Sequence, residues 1–111
     1  MHIVIKKHLE IYTSPNGDQP FIEWLESIDS KIRYRVKERL DRVALGNLGD
    51  YKPVGNGVFE LRLSFGSGYR IYFGQNHNTF ILLLCGGDKC SQKKDIRKAF
   101  QYGESYTGRK L

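Results

Sequence analysis

The stretch 57-GVFELRLSFGSGYRIYFGQ-75 decides the fold. Its two halves alternate. Phe59, Leu61 and Leu63 fall on one side of a strand with Glu60 and Arg62 on the other, and Tyr69, Ile71 and Phe73 oppose Arg70 and Tyr72. A period of two marks half-buried strands, and the FGSG between them is turn chemistry. Parity then sets the register. A two-residue loop at Gly66-Ser67 pairs Arg62 with Ile71 and puts the two apolar sets on opposite faces. A three-residue loop, 65–67, followed by Gly68 at positive φ, pairs Leu61 with Ile71 and Arg62 with Arg70. Only the second keeps one face apolar, so it is the expected register.

Downstream, 79-TFILLLCG-86 is apolar on both faces, as a central strand covered on each side should be. Upstream, residues 2–13 read as a strand and 14-SPNGDQP-20 as a turn that places Pro20 at the first position of a helix. In 21-FIEWLESI-28, Phe21, Leu25 and Ile28 form one stripe and Glu23 and Glu26 point away. Asp29 or Ser30 can cap the next helix, 31-KIRYRVKERLDRVAL-45, whose Ile32, Val36, Leu40 and Val43 recur at helical spacing before a stop at Gly46. A last helix from about Ser91 to Tyr102 would bury Ile96, Ala99 and Phe100. The order β-α-α-β-β-β-α predicts an α+β fold: a small, mostly antiparallel sheet with two N-terminal helices packed on one face and a C-terminal helix. The 111 residues fit one domain, with a core over 1–102 and a basic tail over 103–111.

No run reaches the roughly 18 apolar residues of a membrane span, and the N-terminal dozen lacks the order of a signal peptide. A cytoplasmic chain without membrane contact is expected. Net charge is +6, and it is unevenly spread. Residues 10–29 hold five acidic groups and no Lys or Arg, whereas 89–111 hold seven basic residues against Asp95 and Glu104. Such a basic pole suits an anionic partner, although a solvated basic surface is the plainer reading. The basic residues of 31–42 have the same two readings. Cys85 and Cys90 make a lone C-x4-C pair with no second pair beside it, too little for a zinc site. Cys85 reads as a small buried hydrophobe.

The favoured register opposes two arginines. Like charges directly across a strand pair cost a few tenths to about 1 kcal/mol. Either Glu60, Asp88 or Asp95 bridges Arg62 and Arg70 in a structural network, or the pair awaits an anion that matches the guanidinium fork. The stretch 84-LCGGDKCSQKKDI-96 bears on this choice. Gly86 and Gly87 would let backbone amides approach a ligand, Ser91 caps a helix, and Lys93 and Lys94 sit where the helix dipole disfavours cations. No mononucleotide fingerprint is present. The stretch reads as one wall of a cationic, phosphate-holding cleft, with Arg62 and Arg70 as the other.

The motifs 40-LDRVALGNLGD-50, 52-KPVG-55, 57-GVFELR-62, 68-GYRIYF-73, 82-LLLCGGDK-89 and 92-QKKDI-96 closely resemble the small toxins of the RelE/ParE superfamily, in the addiction-module killer branch similar to HigB-type toxins. The resemblance covers roughly residues 20–100. It implies the toxin of a type II toxin–antitoxin module and a cognate helix-turn-helix antitoxin as partner. RelE-like relatives cleave mRNA, commonly on the ribosome, by attack of the ribose 2′-OH on the adjacent phosphate, with no metal or cofactor. The resemblance assigns catalytic roles to Arg62, Arg70 and Lys89: a basic group on the active-site strand, the phosphate clamp, and a group at the leaving oxygen. Lys52, Lys93 and Lys94 become nucleic-acid contacts. Where relatives often carry two lysines this chain has Glu60 and Arg62, so Glu60 is the candidate for general base or for orienting Arg62. Tyr102 and Tyr106 are the nearest counterparts of the catalytic C-terminal His or Tyr of other members. ParE-like relatives inhibit DNA gyrase without cleavage, which would draw on helix 31–42 and the C-terminal tail. A non-catalytic RNA-binding module is the third reading.

Overall fold

In the computed structural model, residues 6–66, 68–77 and 79–110 are described, residues 108–110 as backbone alone. Five strands form one sheet: β1 (His8–Ile11), β2 (Tyr51–Gly55), β3 (Val58–Arg62), β4 (Arg70–Asn76) and β5 (Phe80–Gly87). Three helices cover it: α1 (Pro20–Ser27), α2 (Ser30–Ala44) and α3 (Gln92–Lys110). The spatial order is β1-β5-β4-β3-β2. Only β1 and β5 run parallel; the other three pairs are antiparallel. The expected α+β architecture is what the chain adopts.

The hairpin takes the register that parity demands: Leu61 lies opposite Ile71 and Arg62 opposite Arg70. Gly66 and Gly68 supply positive φ of 72° and 78° in the connecting loop, which only glycine adopts without strain. Ser67 lies outside the described residues. Leu61, Leu63, Ile71, Phe73, Ile81 and Leu83 then share one face with Phe21 and Leu25 of α1 and Val36 and Val43 of α2. The opposite face buries Val58, Tyr72, Leu82, Leu84 and Cys85 beneath Ala99 of α3. The strand β5, flanked by β1 and β4, is buried from both sides, which is why its sequence has no polar alternation.

The helix signals work as local chemistry. Pro20 opens α1, and the Asp29 carboxylate caps α2 by accepting from the Lys31 N–H at 2.9 Å. Gly46, with φ 98°, ends α2, its N–H donating to the Val43 carbonyl.

Three boundaries differ from expectation. The strand β2 is additional. Its Pro53 and exposed residues argue against a strand in sequence, and both are tolerated because β2 is an edge paired only with β3. The first strand is the short His8–Ile11, with residues 2–5 of the longer expected strand outside the described residues. The last helix does not stop near Tyr102. It continues to Lys110, so residues 103–110 are helical rather than a separate tail. Tyr106 holds that extension by stacking on Phe80. Among the described residues, no helix is long and apolar enough to cross a membrane.

The two glycines at the end of β5 have structural work that their sequence setting hid. A Cβ on Gly86 would lie 2.3 Å from the Trp24 ring of α1, and one on Gly87 would lie 1.8 Å from Asp95 Oδ2 of α3. Each glycine admits a helix to one face of the sheet. The space beside both glycines is thus filled by the protein's own side chains. Gly86→Ala is expected to destabilise the fold by roughly 1–3 kcal/mol, the usual cost of overpacking. Thermal unfolding checks this, and a midpoint equal to wild type would show that Trp24 does not fix α1 there.

Candidate functional site

The site grows from the face of the sheet that α3 covers. Side chains directly opposite on antiparallel strands share a face, so pairing sets two rows. One contains Lys52, Glu60, Tyr72 and Cys85; the next contains Arg62, Arg70 and Gly87. At the centre stands Glu60, fully buried. Its Oε1 accepts from Arg62 Nε at 3.3 Å. Its Oε2 accepts from Tyr72 Oη at 3.2 Å and from Gln92 Nε2, on the first residue of α3, at 2.8 Å. Arg70 Nε lies 3.6 Å from the same Oε2, an ion pair without a hydrogen bond.

The electrostatics follow from this inventory. Burial alone would raise the Glu60 pKa, yet hydrogen bonds from Gln92, Arg62 and Tyr72 and the charge of Arg70 outweigh it and hold the carboxyl below its ordinary 4.5. Burial, then the Glu60 charge beside it, keep the Tyr72 phenol protonated well above the usual range. Glu60 is thus an ionised acceptor whose oxygens are already engaged. It offers no open side from which to take a substrate proton.

Arg62 and Arg70 differ in access. The Arg62 side chain is 42% exposed and that of Arg70 12%. Arg70 Nη1 donates to the Gly68 carbonyl at 2.8 Å, bending the guanidinium toward the hairpin loop. Lys89 joins it there: a Cβ on Gly68 would lie 3.3 Å from Lys89 Cβ and 3.4 Å from Arg70 Nη1. Lys89, Lys93, Lys94 and Lys52 are all exposed. Lys52, opposite Glu60, extends the basic surface to the β2 edge. Of the two readings of the arginine pair, the structure shows the bridged one: of the three carboxylates weighed, Glu60 stands between Arg62 and Arg70. Asp88 instead closes the β5–α3 turn, accepting from the Cys90 and Ser91 N–H groups, and Asp95 accepts from the Ser91 hydroxyl at 2.5 Å.

Cys85 is buried and Cys90 exposed, both as free thiols. Burial, reinforced by Asp95, pushes the Cys85 thiol up to about 12, as suits a packing residue. On the other side of the molecule, three of the six basic residues of α2 are engaged within the chain, while Lys31, Lys37 and Arg42 are exposed. Arg33 ties off α1 through the Leu25, Glu26 and Ile28 carbonyls. Arg39 donates to the Asn47 and Leu48 carbonyls, and Arg35 stacks over Phe65 at 4.2 Å. Tyr102 packs on Tyr12 and Tyr106 on Phe80, both in the apolar layer under α3 rather than beside the arginines. Sequence reasoning missed Gln92 and Tyr72. Tyr72 could have been placed by strand parity beside Glu60; Gln92 needed the docking angle of α3.

Residues 23–102 match the family described as "Phage derived protein Gp49-like (DUF891)". An uncharacterized protein of Haemophilus influenzae is 41% identical over 80 residues, covering 71% of this chain and 81% of that relative.

Replacing Glu60 by Gln keeps the shape, exchanges one acceptor oxygen for an NH2 donor that faces donors, and removes the charge that two arginines share. A loss of roughly 3 kcal/mol at pH 7 is expected, the low end for a broken buried pair because Arg62 keeps much of its hydration. The sign of the pH effect follows from the depressed pKa: stability from ionised Glu60 is present above 4.5 and is lost as pH falls through the folded value. Denaturant unfolding across pH 2–7 should show the wild type converging on Glu60→Gln at the acid end. Parallel curves would mean that Glu60 is not a charged partner in the folded state.

Proposed function

We propose, from the premise that this chain belongs to the phage-derived Gp49-like family, that it is the toxin of a type II toxin–antitoxin module and cleaves mRNA on the ribosome. The observation that carries the reading is the pair of opposed arginines on one face, held by a single buried carboxylate with a lysine beside them. Two guanidinium groups share one negative charge, so the cluster keeps a net positive charge for a phosphate.

In this reading Arg70 clamps the scissile phosphate and Arg62, the more open of the two, meets the phosphoryl oxygens as charge builds on them. Preformed cationic donors at that position stabilise the transition state without reorganising. Lys89 serves the leaving 5′ oxygen as proton donor, and Lys52, Lys93 and Lys94 hold the flanking backbone. Glu60 orients the arginines and is not the base. The 2′-hydroxyl gives up its proton outside this set of side chains, to its ribosomal surroundings. The partner that silences such a toxin is a cognate helix-turn-helix antitoxin carrying an acidic or apolar segment for the basic cleft. The gyrase-inhibitor alternative draws on α2, where Arg33, Arg35 and Arg39 are spent on contacts within the chain.

Inducible expression in a bacterium with RNA 5′-end mapping tests the proposal. Wild type should arrest growth with new in-frame cuts in coding regions. Arg70→Ala should reduce cleavage by about 10²–10³, the scale of losing one transition-state charge donor. Growth arrest without cuts, or a folded Arg70→Ala that stays fully toxic, would overturn it.

A further inference from the structure

The two oxygens of Glu60 are not shared evenly. Oε1 serves Arg62. Oε2 is taken by Tyr72 and Gln92, and a carboxylate oxygen has two lone-pair positions. Arg70 Nε, the third claimant, stays at 3.6 Å and has no hydrogen-bond acceptor although it is buried. An unmet buried guanidinium N–H is costly, so something must prevent the short move that would close it onto Glu60. Tyr72 sits on the same strand as Arg70 and moves with it. Gln92 comes from a different element, α3, and makes the shortest of the contacts to Glu60.

We propose that Gln92 is a positioning residue: by occupying Glu60 Oε2 it keeps Arg70 from sealing into a neutral pair, and so holds the Arg70 guanidinium ready for a phosphate. The inference rests on the phosphate-clamp reading above and deepens it. Glu60 attracts Arg70 enough to fix its direction, while Gln92 blocks the hydrogen bond that would retire it. Without the amide, Arg70 closes onto Oε2 as a charge-assisted hydrogen bond and must break it to bind substrate. The seat of α3 on the sheet thereby sets the state of the clamp.

The test uses Gln92→Met, which keeps the volume and removes the donor, and Gln92→Asn, which leaves the amide one carbon short. The Arg70 Nε–H signal is followed by ¹⁵N–¹H NMR in the free protein and during titration with inorganic phosphate. Both variants should fold, with thermal midpoints near wild type. In each, the ligand-free Nε–H signal should move downfield as it gains Glu60, and phosphate should bind about tenfold more weakly, the size of one hydrogen bond to a charged group. An unmoved Nε–H signal together with unchanged phosphate affinity would overturn the proposal. Loss of fold in both variants would also overturn it, making Gln92 a structural residue only. A wild-type Arg70 signal that ignores phosphate would sink the clamp reading itself, and the ligand-free comparison would still decide whether Gln92 holds Arg70 off Glu60.

Discussion

A carboxylate with no exposure to water sits between two arginines on the middle of the sheet, and much of the structure can be read as the means of keeping it there. Burying a charge is expensive unless every oxygen is met. Glu60 meets that condition through donors from three elements: Arg62 on its own strand β3, Tyr72 on β4 and Gln92 on α3. Each arrives by a separate constraint. Strand parity delivers Arg62 and sets Tyr72 opposite Glu60. The glycine at 87 lets Asp95, and with it the start of α3, press close to the sheet.

The sheet divides labour between its faces. Under α1 and α2 lies an aliphatic and aromatic core with no buried charge among its members. Under α3 the packing is apolar at one end and charged at the other. Tyr102, Phe100 and Tyr106 pack with Val54, Phe80 and Leu82, and toward Gln92 the surface turns to arginine and lysine. Three of the six basic residues of α2, on the far side, bind carbonyls and an aromatic ring of their own chain. Net positive charge is thus a poor guide to which basic residues are left without contacts in their own chain.

The fold was legible wherever a period met a single solution. The hairpin register could be derived because a one-residue slip would have put Leu61 and Ile71 on opposite faces. The double-sided burial of β5 could be read from its unbroken apolar run. The edge strand β2 could not, because an edge needs neither a buried face nor a full set of N–H donors, and Pro53 removes one. The role of the Gly86-Gly87 pair was hidden for a related reason: the need for glycine is set by Trp24 on α1 and Asp95 on α3, which reach it only through the packing of those helices. Of the candidate site, the arginine pair was readable from strand geometry, and Glu60 only as one of three carboxylates that could bridge it. The hydrogen bond from Gln92 was not, since a residue 32 positions from Glu60 is brought to it only by the path of α3.

Glu60 acts as an ionised hub whose charge is held in place by its neighbours. Site-resolved NMR titration of the Glu60 side-chain carboxyl carbon tests it most directly. The inflection should fall below the ordinary glutamate value of 4.5, because Gln92, Arg62, Tyr72 and Arg70 all favour the charged form. An inflection above that value would mean that desolvation has won and the carboxyl is protonated more readily than in water. The arginine cluster would then lack its anchor.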